Sequence, residues 1–354
     1  MRNATSALAA VLLVSCSPGV VGAQQAAGTH RVSGDRVAVY NLAGRVTVEG
    51  TSGADVTVSV APGGEGSGRL QVASGAVNGR EAFRVIYPDD RIIYPAGRTQ
   101  RTELRVRDDG TFGGGDRDDR RGTRRLVITD EGSGLEAWAD LTIGVPEGRD
   151  VAVHQAVGTV VVRNVEGTLL IDTQSADVDA TGTRGALTVD VGSGNVAVRH
   201  AQGRLLVDTG SGDVLLDGSA ADDALIDTGS GDVRASGVTA GELTVDAGSG
   251  DITLERVTAD RVHLDTGSGS ISVTLDSDVS DLSIDTGSGD VTVRAPASLG
   301  ATVQVETGSG SIEAAVPVAV TRRSRTELTG TLGDGQGRIV IDTGSGDVTI
   351  AARE

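Results

Sequence analysis

The chain has 354 residues, 31 of them basic and all of those arginine, against 49 acidic residues, for a formal net charge of −18. Nucleic acid and anionic membrane surfaces repel a chain this negative, so basic proteins or cations are the expected partners. Cys16 is the only cysteine, which excludes an intramolecular disulfide and leaves packing alone to hold the fold.

In chain order, Met1, Arg2 and Asn3 precede an apolar run from Ala7 to Val14 that is too short to span a bilayer as a mature helix. Residues 1–23 therefore read as an export signal, with two competing processing sites. Leu13-Val14-Ser15-Cys16 has the form of a bacterial lipobox, which would make Cys16 the lipidated first mature residue. Val21-Gly22-Ala23 before Gln24 suits ordinary signal peptidase. Either site predicts an exported protein in the periplasm, the outer membrane or the cell surface, touching a membrane only through such a lipid.

Residues 24–82 are expected to form the first β coils. Val37, Val39, Val46 and Val48 alternate with other residues around Gly44, and Val56, Val58 and Val60 continue the period-two pattern of half-buried strands. The stretch 83–138 departs from it. It carries Phe83, Tyr87, Tyr94, Phe112 and Trp138, five of the six aromatic residues, together with many arginines, and reads as an insertion. From Gly113 to Arg125 the sequence is GGGDRDDRRGTRR, a mixed-charge stretch predicted to be disordered. Its plain reading is a tolerated insertion between coils, and its functional reading is a partner-binding loop presenting those aromatics.

Residues 139–354 are dominated by a repeat. Its first acid stands at Asp172, Asp190, Asp208, Asp227, Asp246, Asp265, Asp285, Glu306 and Asp342, spaced by 18 to 21 residues and finally by 36. Apolar residues alternate on both sides of each Gly-Ser-Gly corner, as at Leu243, Val245, Ile252 and Leu254. Strands this short bury their apolar face only by stacking repeat on repeat, which predicts an all-β parallel β-helix, or β-solenoid, with two short strands per 18–20-residue coil. Parallel crossovers favour right-handed winding. No Phe, Tyr or Trp follows Trp138, so the interior should be thin and filled by Val, Ile, Leu and Ala.

The motif itself invites chemical readings. Asp-Thr-Gly-Ser, at Asp208, Asp227, Asp265, Asp285 and Asp342, matches the signature of pepsin-like aspartic proteases. Those need one such carboxylate from each of two lobes, which copies about 19 residues apart cannot build. Stacking also makes two columns of acids. One precedes the corner (Asp208, Asp227, Asp246, Asp265, Asp285, Asp342) and the other follows it (Asp213, Asp232, Asp251, Asp290, Asp347), a pattern of oxygen ligands that would suit calcium. The alternative is that each Asp caps its own corner through backbone N–H groups. Ser270 and Ser311 interrupt the second column. His30, His154, His200 and His263 fall at different places in the repeat, and no nucleophile elbow, P-loop or dinucleotide fingerprint appears. The sequence thus predicts no enzyme, and no cofactor unless calcium.

Three stretches resemble a bacterial β-strand-repeat family, a domain of unknown function named for adhesins and found in exported and envelope proteins. They are Tyr40 to Gly50 (YNLAGRVTVEG), Leu141 to Gly148 (LTIGVPEG), and Leu328 to Gly333 (LTGTLG) followed by Asp342 to Asp347 (DTGSGD). The resemblance implies a β-helical envelope protein and brings no catalytic residues. The expected function is a non-catalytic envelope or surface scaffold that binds an envelope or surface protein. The alternatives are a calcium-binding repeat protein and a self-assembling structural element. The last follows from Glu354 lying only four residues beyond Ile350, which leaves little sequence to cover the last coil and invites end-to-end association.

Overall fold

The computed structural model describes residues 24–95, 101–113 and 122–353. The signal with Cys16 and the centre of the arginine-rich stretch, 114–121, lie outside the described residues. Among those described, the one helical element is the short turn Ser67–Arg69, and the rest of the regular structure is β. No helix of the described residues is long and apolar enough to cross a membrane.

The repeats stack as a β-solenoid. Gln202–Thr209 and Val214–Asp217 form one coil. Each pairs in parallel with the equivalent strand of the coils before and after it, so Asp190, Asp208, Asp227, Asp246, Asp265 and Asp285 sit in register. The change of repeat from 18 to 19 residues is absorbed by a bulge, where Gly203 pairs with Ala221 but Leu205 pairs with Ala224. Two facing apolar columns fill the interior. Val189, Val207, Ile226, Val245, Leu264 and Ile284 come from the longer strands, and Val196, Val214, Val233, Ile252, Ile271 and Val291 come from the shorter ones. All are buried, because alternation sends every second side chain inward and stacking removes the strand edges from water.

Both ends of the stack depart from the sequence-based expectation. At the amino-terminal end, Arg36–Thr51 is a true coil, paired with Arg149–Arg163, and the chain between them forms a cap. Arg80–Ile86 covers the first half of coil 36–51 and Trp138–Pro146 covers the second. Val56, Val58 and Val60 do not continue the coils: Val56–Gly63 turns back antiparallel to Trp138–Pro146 and to Gly28–Val32. Hairpin strands with one buried face show the same alternation as coil strands, which is why the sequence did not separate them.

The described part of stretch 83–138 likewise folds as a cap and not as a loop. Arg91–Ile93, Thr102–Arg107, Thr123–Thr129 and Leu135–Glu136 make a second, four-stranded sheet. Residues 123–125, predicted to be disordered, belong to one of its strands. Phe83, Tyr87, Tyr94 and Phe112 are buried and Trp138 is half-buried, its ring 5.7 Å from that of Tyr94. The aromatics close the end of the core, where the thin aliphatic columns would otherwise meet water.

At the other end the order of the coils changes. The last repeat in sequence, Gly337–Ser345 with Val348–Ala352, lies between coil 281–295 and coil 301–315 and pairs with both. The coil that ends the sequence therefore does not end the stack. Coil 301–315 does, and its long strand is covered by antiparallel Glu327–Leu332, itself flanked by Ala319–Arg323. Consistent with this position, Ile312 is 9% exposed, whereas Val348 and Val291 in the same column are fully buried.

Candidate functional site

The stacked corner assigns a task to almost every residue of the motif. The threonine points inward: Thr209, Thr228, Thr266, Thr286, Thr307 and Thr343 are buried. Each donates its hydroxyl hydrogen to a carbonyl of the adjacent coil, as from Thr286 Oγ1 to Gly269 O at 3.1 Å and from Thr266 Oγ1 to Gly250 O at 3.2 Å. The last glycine is fixed by two constraints. Gly212, Gly231 and Gly250 have φ near +145° (143°, 146° and 146°), and a Cβ on Gly231 would stand 2.1 Å from Gly212 O. The central serine faces solvent.

The second acid column works across coils, not within its own corner. The Asp232 amide donates to Asp213 Oδ1 and the Asp251 amide to Asp232 Oδ1, both at 3.0 Å, and the Ser270 amide to Asp251 Oδ1 at 2.8 Å. The same bond joins Asp347 to Asp290 and Ser311 to Asp347, each at 2.8 Å. Each carboxylate thus satisfies an N–H of the neighbouring coil that the tight corner leaves without a ladder partner. These bonds hold the Asp232 and Asp347 carboxyls below their ordinary range: for Asp232 the Asp251 amide leads and Arg234 assists, and for Asp347 the Ser311 hydroxyl leads and its amide assists.

The first acid column has no comparable task. Asp208, Asp227, Asp246, Asp265, Asp285 and Asp342 are exposed, and among the described residues no hydrogen bond or ion pair joins them to another side chain. At ~4.8 Å per coil, unit charges repel by roughly 0.9 kcal/mol in water. Partial burial first, and then the carboxylates one coil above and below, push the Asp190, Asp227, Asp265 and Asp342 carboxyls up. The outward column four residues earlier is self-neutralising by contrast: Arg204 faces Asp223 at 3.8 Å, Arg261 faces Glu242 at 2.9 Å, and Arg338 faces Asp281 at 3.3 Å.

Asp190, Asp227, Asp265 and Asp342 in the first column titrate with the opposite sign to Asp232 and Asp347 in the second. A carboxyl whose pKa is raised on folding favours the folded state when protonated, so that stability is present below its unfolded value and is lost as pH rises through its raised folded value. A lowered carboxyl contributes stability above its unfolded value of about 3.9 that is lost as pH falls through its folded value. The raised carboxyls should therefore add to the melting temperature as pH falls towards their unfolded value of about 3.9, and the lowered ones should subtract from it as pH falls further. A chain carrying Asp227→Asn and Asp265→Asn should melt higher at pH 7 and show a flatter rise, read by circular dichroism. A melting temperature that falls steadily from pH 7 downwards would contradict this assignment.

The first column begins under the cap. His154 replaces the acid there, with Nδ1 2.8 Å from Asp172 Oδ2, and its ring stacks on that of Tyr40 at 4.4 Å. Phe112 meets both rings edge-on, and Gly113 passes so close that a Cβ would stand 2.7 Å from Asp172 Oδ2. Phe112, one of the aromatics expected to bind a partner, is thus used by the cap for packing.

A buried polar group went unnoticed in the sequence. Asn41 and Gln155 occupy the inward threonine position in the first two coils, and Asn41 Nδ2 donates to Gln155 Oε1 at 3.0 Å. Tyr87 Oη donates to Asn41 Oδ1 at 2.9 Å, so the tyrosine hydroxyl closes the column from above. Its burial pushes the phenol up strongly. Two amides at the inward position that most later coils give to threonine were the available signal.

Among the described residues no three side chains of the His, Cys, Asp and Glu types gather to hold a metal ion. On the face of the shorter strands a shallow groove of about 540 Å³ runs past Arg45, Asp179, Ala197, Leu215 and Arg234.

Parallel coils, a glycine corner repeated at each level and outward columns of side chains define the class: a β-solenoid repeat protein. Residues 140–351 match the model of the Toastrack family DUF4097, and the chain belongs to that family of unknown function. The sequence-based resemblance to an adhesin-like domain of unknown function is thereby borne out. No curated protein matches the chain by sequence. Among solved structures, one of a "putative cell adhesion protein" from Clostridium sporogenes ATCC 15579 is similar over 92% of this chain and 99% of that one, at 10% identity and a TM-score of 0.24. That degree of likeness carries no argument about role.

Proposed function

We propose that the protein is an exported, non-catalytic scaffold of the bacterial envelope or cell surface, wound right-handed, that binds a basic protein partner along its first carboxylate column. One observation supports this reading above others: the motif's threonine, glycines and second acid are used in holding coil to coil, whereas the first acid is repeated in register, faces solvent and is left unneutralised. A rigid row of like charges favours a partner with complementary charge, through encounter rate and orientation more than through area. The export signal read in residues 1–23 is in keeping with an envelope location. Calcium is the alternative occupant of the same column.

The test combines location with binding. Surface labelling of intact cells should mark the protein, and the full chain should retain an envelope protein that a chain with Asp227→Asn, Asp246→Asn and Asp265→Asn does not. Equal retention by the neutralised chain would remove the column from the interface, and a cytosolic location would remove the envelope reading. The calcium alternative requires a higher melting temperature in calcium than in chelator; equal curves reject it.

A further inference from the structure

The displaced order of the last coils has a physical consequence. Every other pair of consecutive repeats stacks directly, and coil 301–315 follows 281–295 at nearly the same spacing: Glu306 stands 21 residues after Asp285, which stands 20 after Asp265. Yet coil 337–352 fills the level between them, with Asp342 paired to Asp285 on one side and to Glu306 on the other.

Its contacts are the generic contacts of the repeat. Residues 342–348 read DTGSGDV, identical to 285–291. Towards coil 281–295, Thr343 Oγ1 donates to Gly289 O at 3.2 Å and the Asp347 amide to Asp290 Oδ1. Towards coil 301–315, Thr307 Oγ1 donates to Gly346 O at 3.0 Å and the Ser311 amide to Asp347 Oδ1. Nothing in this bonding is particular to a coil of the same chain.

Removing the coil also costs less than its two interfaces imply. Once it leaves, coil 301–315 can close onto 281–295 in the way that all earlier coils stack, which restores one of the two interfaces lost. Glu327–Leu332 pairs with Ala301–Ser309 on its other edge and would travel with it. The connection into the coil is short: residues 333–336 form a turn with Gly333 and Gly335 at φ +50° and +71°, held by the Gly335 amide on Leu332 O at 3.0 Å. Straightening a short turn is the ordinary route by which an element passes to a second copy.

We propose that coil 337–352 is exchangeable, and that the same coil of a second copy can occupy the level between 281–295 and 301–315, linking two chains by reciprocal exchange. This does not depend on the adhesive reading. It places self-association at an internal slot, whereas the sequence pointed to an exposed last coil.

The experiment uses full chains with Cys16→Ser as background. Ser283 and Val340 face each other across adjacent levels on the outer surface. In one chain, Ser283→Cys with Val340→Cys should form an internal disulfide and stay monomeric, which verifies the fold. The exchange is read by mixing a mass-tagged Ser283→Cys chain with an untagged Val340→Cys chain and warming to just below melting before oxidation. A mixed disulfide that grows with concentration is expected. A control mixture of Thr188→Cys with Val340→Cys should give none, since Thr188 lies in the same outward column but far from the slot. Absence of the mixed disulfide, with the internal one forming normally, overturns the proposal. So does equal cross-linking in the control.

Discussion

Gly231→Ala is expected to cost about 3 kcal/mol or more, an unusually large effect for the addition of one methyl group. The new Cβ would sit 2.1 Å from Gly212 O and 2.6 Å from Gly212 C, both backbone atoms. Neither side can yield. The Gly212 amide bonds to Ser230 O at 3.0 Å and the Gly231 amide to Ser249 O at 3.1 Å, so any shift is passed to the next corner. The φ of +146° adds conformational strain for any residue with a side chain. Ser230→Ala, one residue away on the exposed tip, should stay within about 0.5 kcal/mol. Urea unfolding of the two variants measures the contrast. A Gly231→Ala chain as stable as the parent would mean that the corners do not approach as closely as described.

The second large effect belongs to the cap. Phe83 is fully buried, on a strand laid over coil 36–51, with its ring 5.1 Å from that of His30. Phe83→Ala should cost about 3–5 kcal/mol, the range for emptying a buried aromatic site. Because solenoid coils contact only their neighbours, the loss should appear as early melting of the amino-terminal end ahead of the repeats, seen by hydrogen exchange as deprotection of 37–40 before 205–207. Were Phe83 part of a partner-binding loop, the substitution would leave stability unchanged and abolish binding.

The contrast between these residues explains what was legible in the sequence. The solenoid could be read because each coil states the same physics again: Val207 inward, Asp208 outward, Gly212 at the corner, then Val214 inward. A single copy would have been weak evidence, and repetition made it strong. The cap could not be read this way because it occurs once. Its strands alternate as coil strands do, so Val56 to Val60 looked like another coil, and its arginines drew the reading towards a disordered loop. Phe83 and Tyr87 were noticed but placed on the surface, since aromatics absent from the repeats seemed foreign to the fold. A solenoid end needs them because it has no next coil to cover it.

The carboxylate columns show a finer limit. The residue type was identified in both, but whether Asp232 caps its own corner or the next depends on a rise of one coil, and the sequence does not contain that dimension. The order of the last coils was hidden for a related reason. Repeats that read DTGSGDV at both 285–291 and 342–348 are interchangeable as partners, so sequence order alone could not say which stacks on which.

Interchangeable corners also make the molecule a ruler. Each repeat adds ~4.8 Å of length without altering any other contact, so a whole copy could be duplicated or lost and the reach of the protein reset in equal steps. The amino-terminal cap covers coil 36–51 and reaches His154 and Asp172 of the next two coils through Phe112 and Gly113, and the closing block ties together 281–295, 337–352 and 301–315. Growth is therefore confined to the middle, and variants of different reach should keep the same two ends.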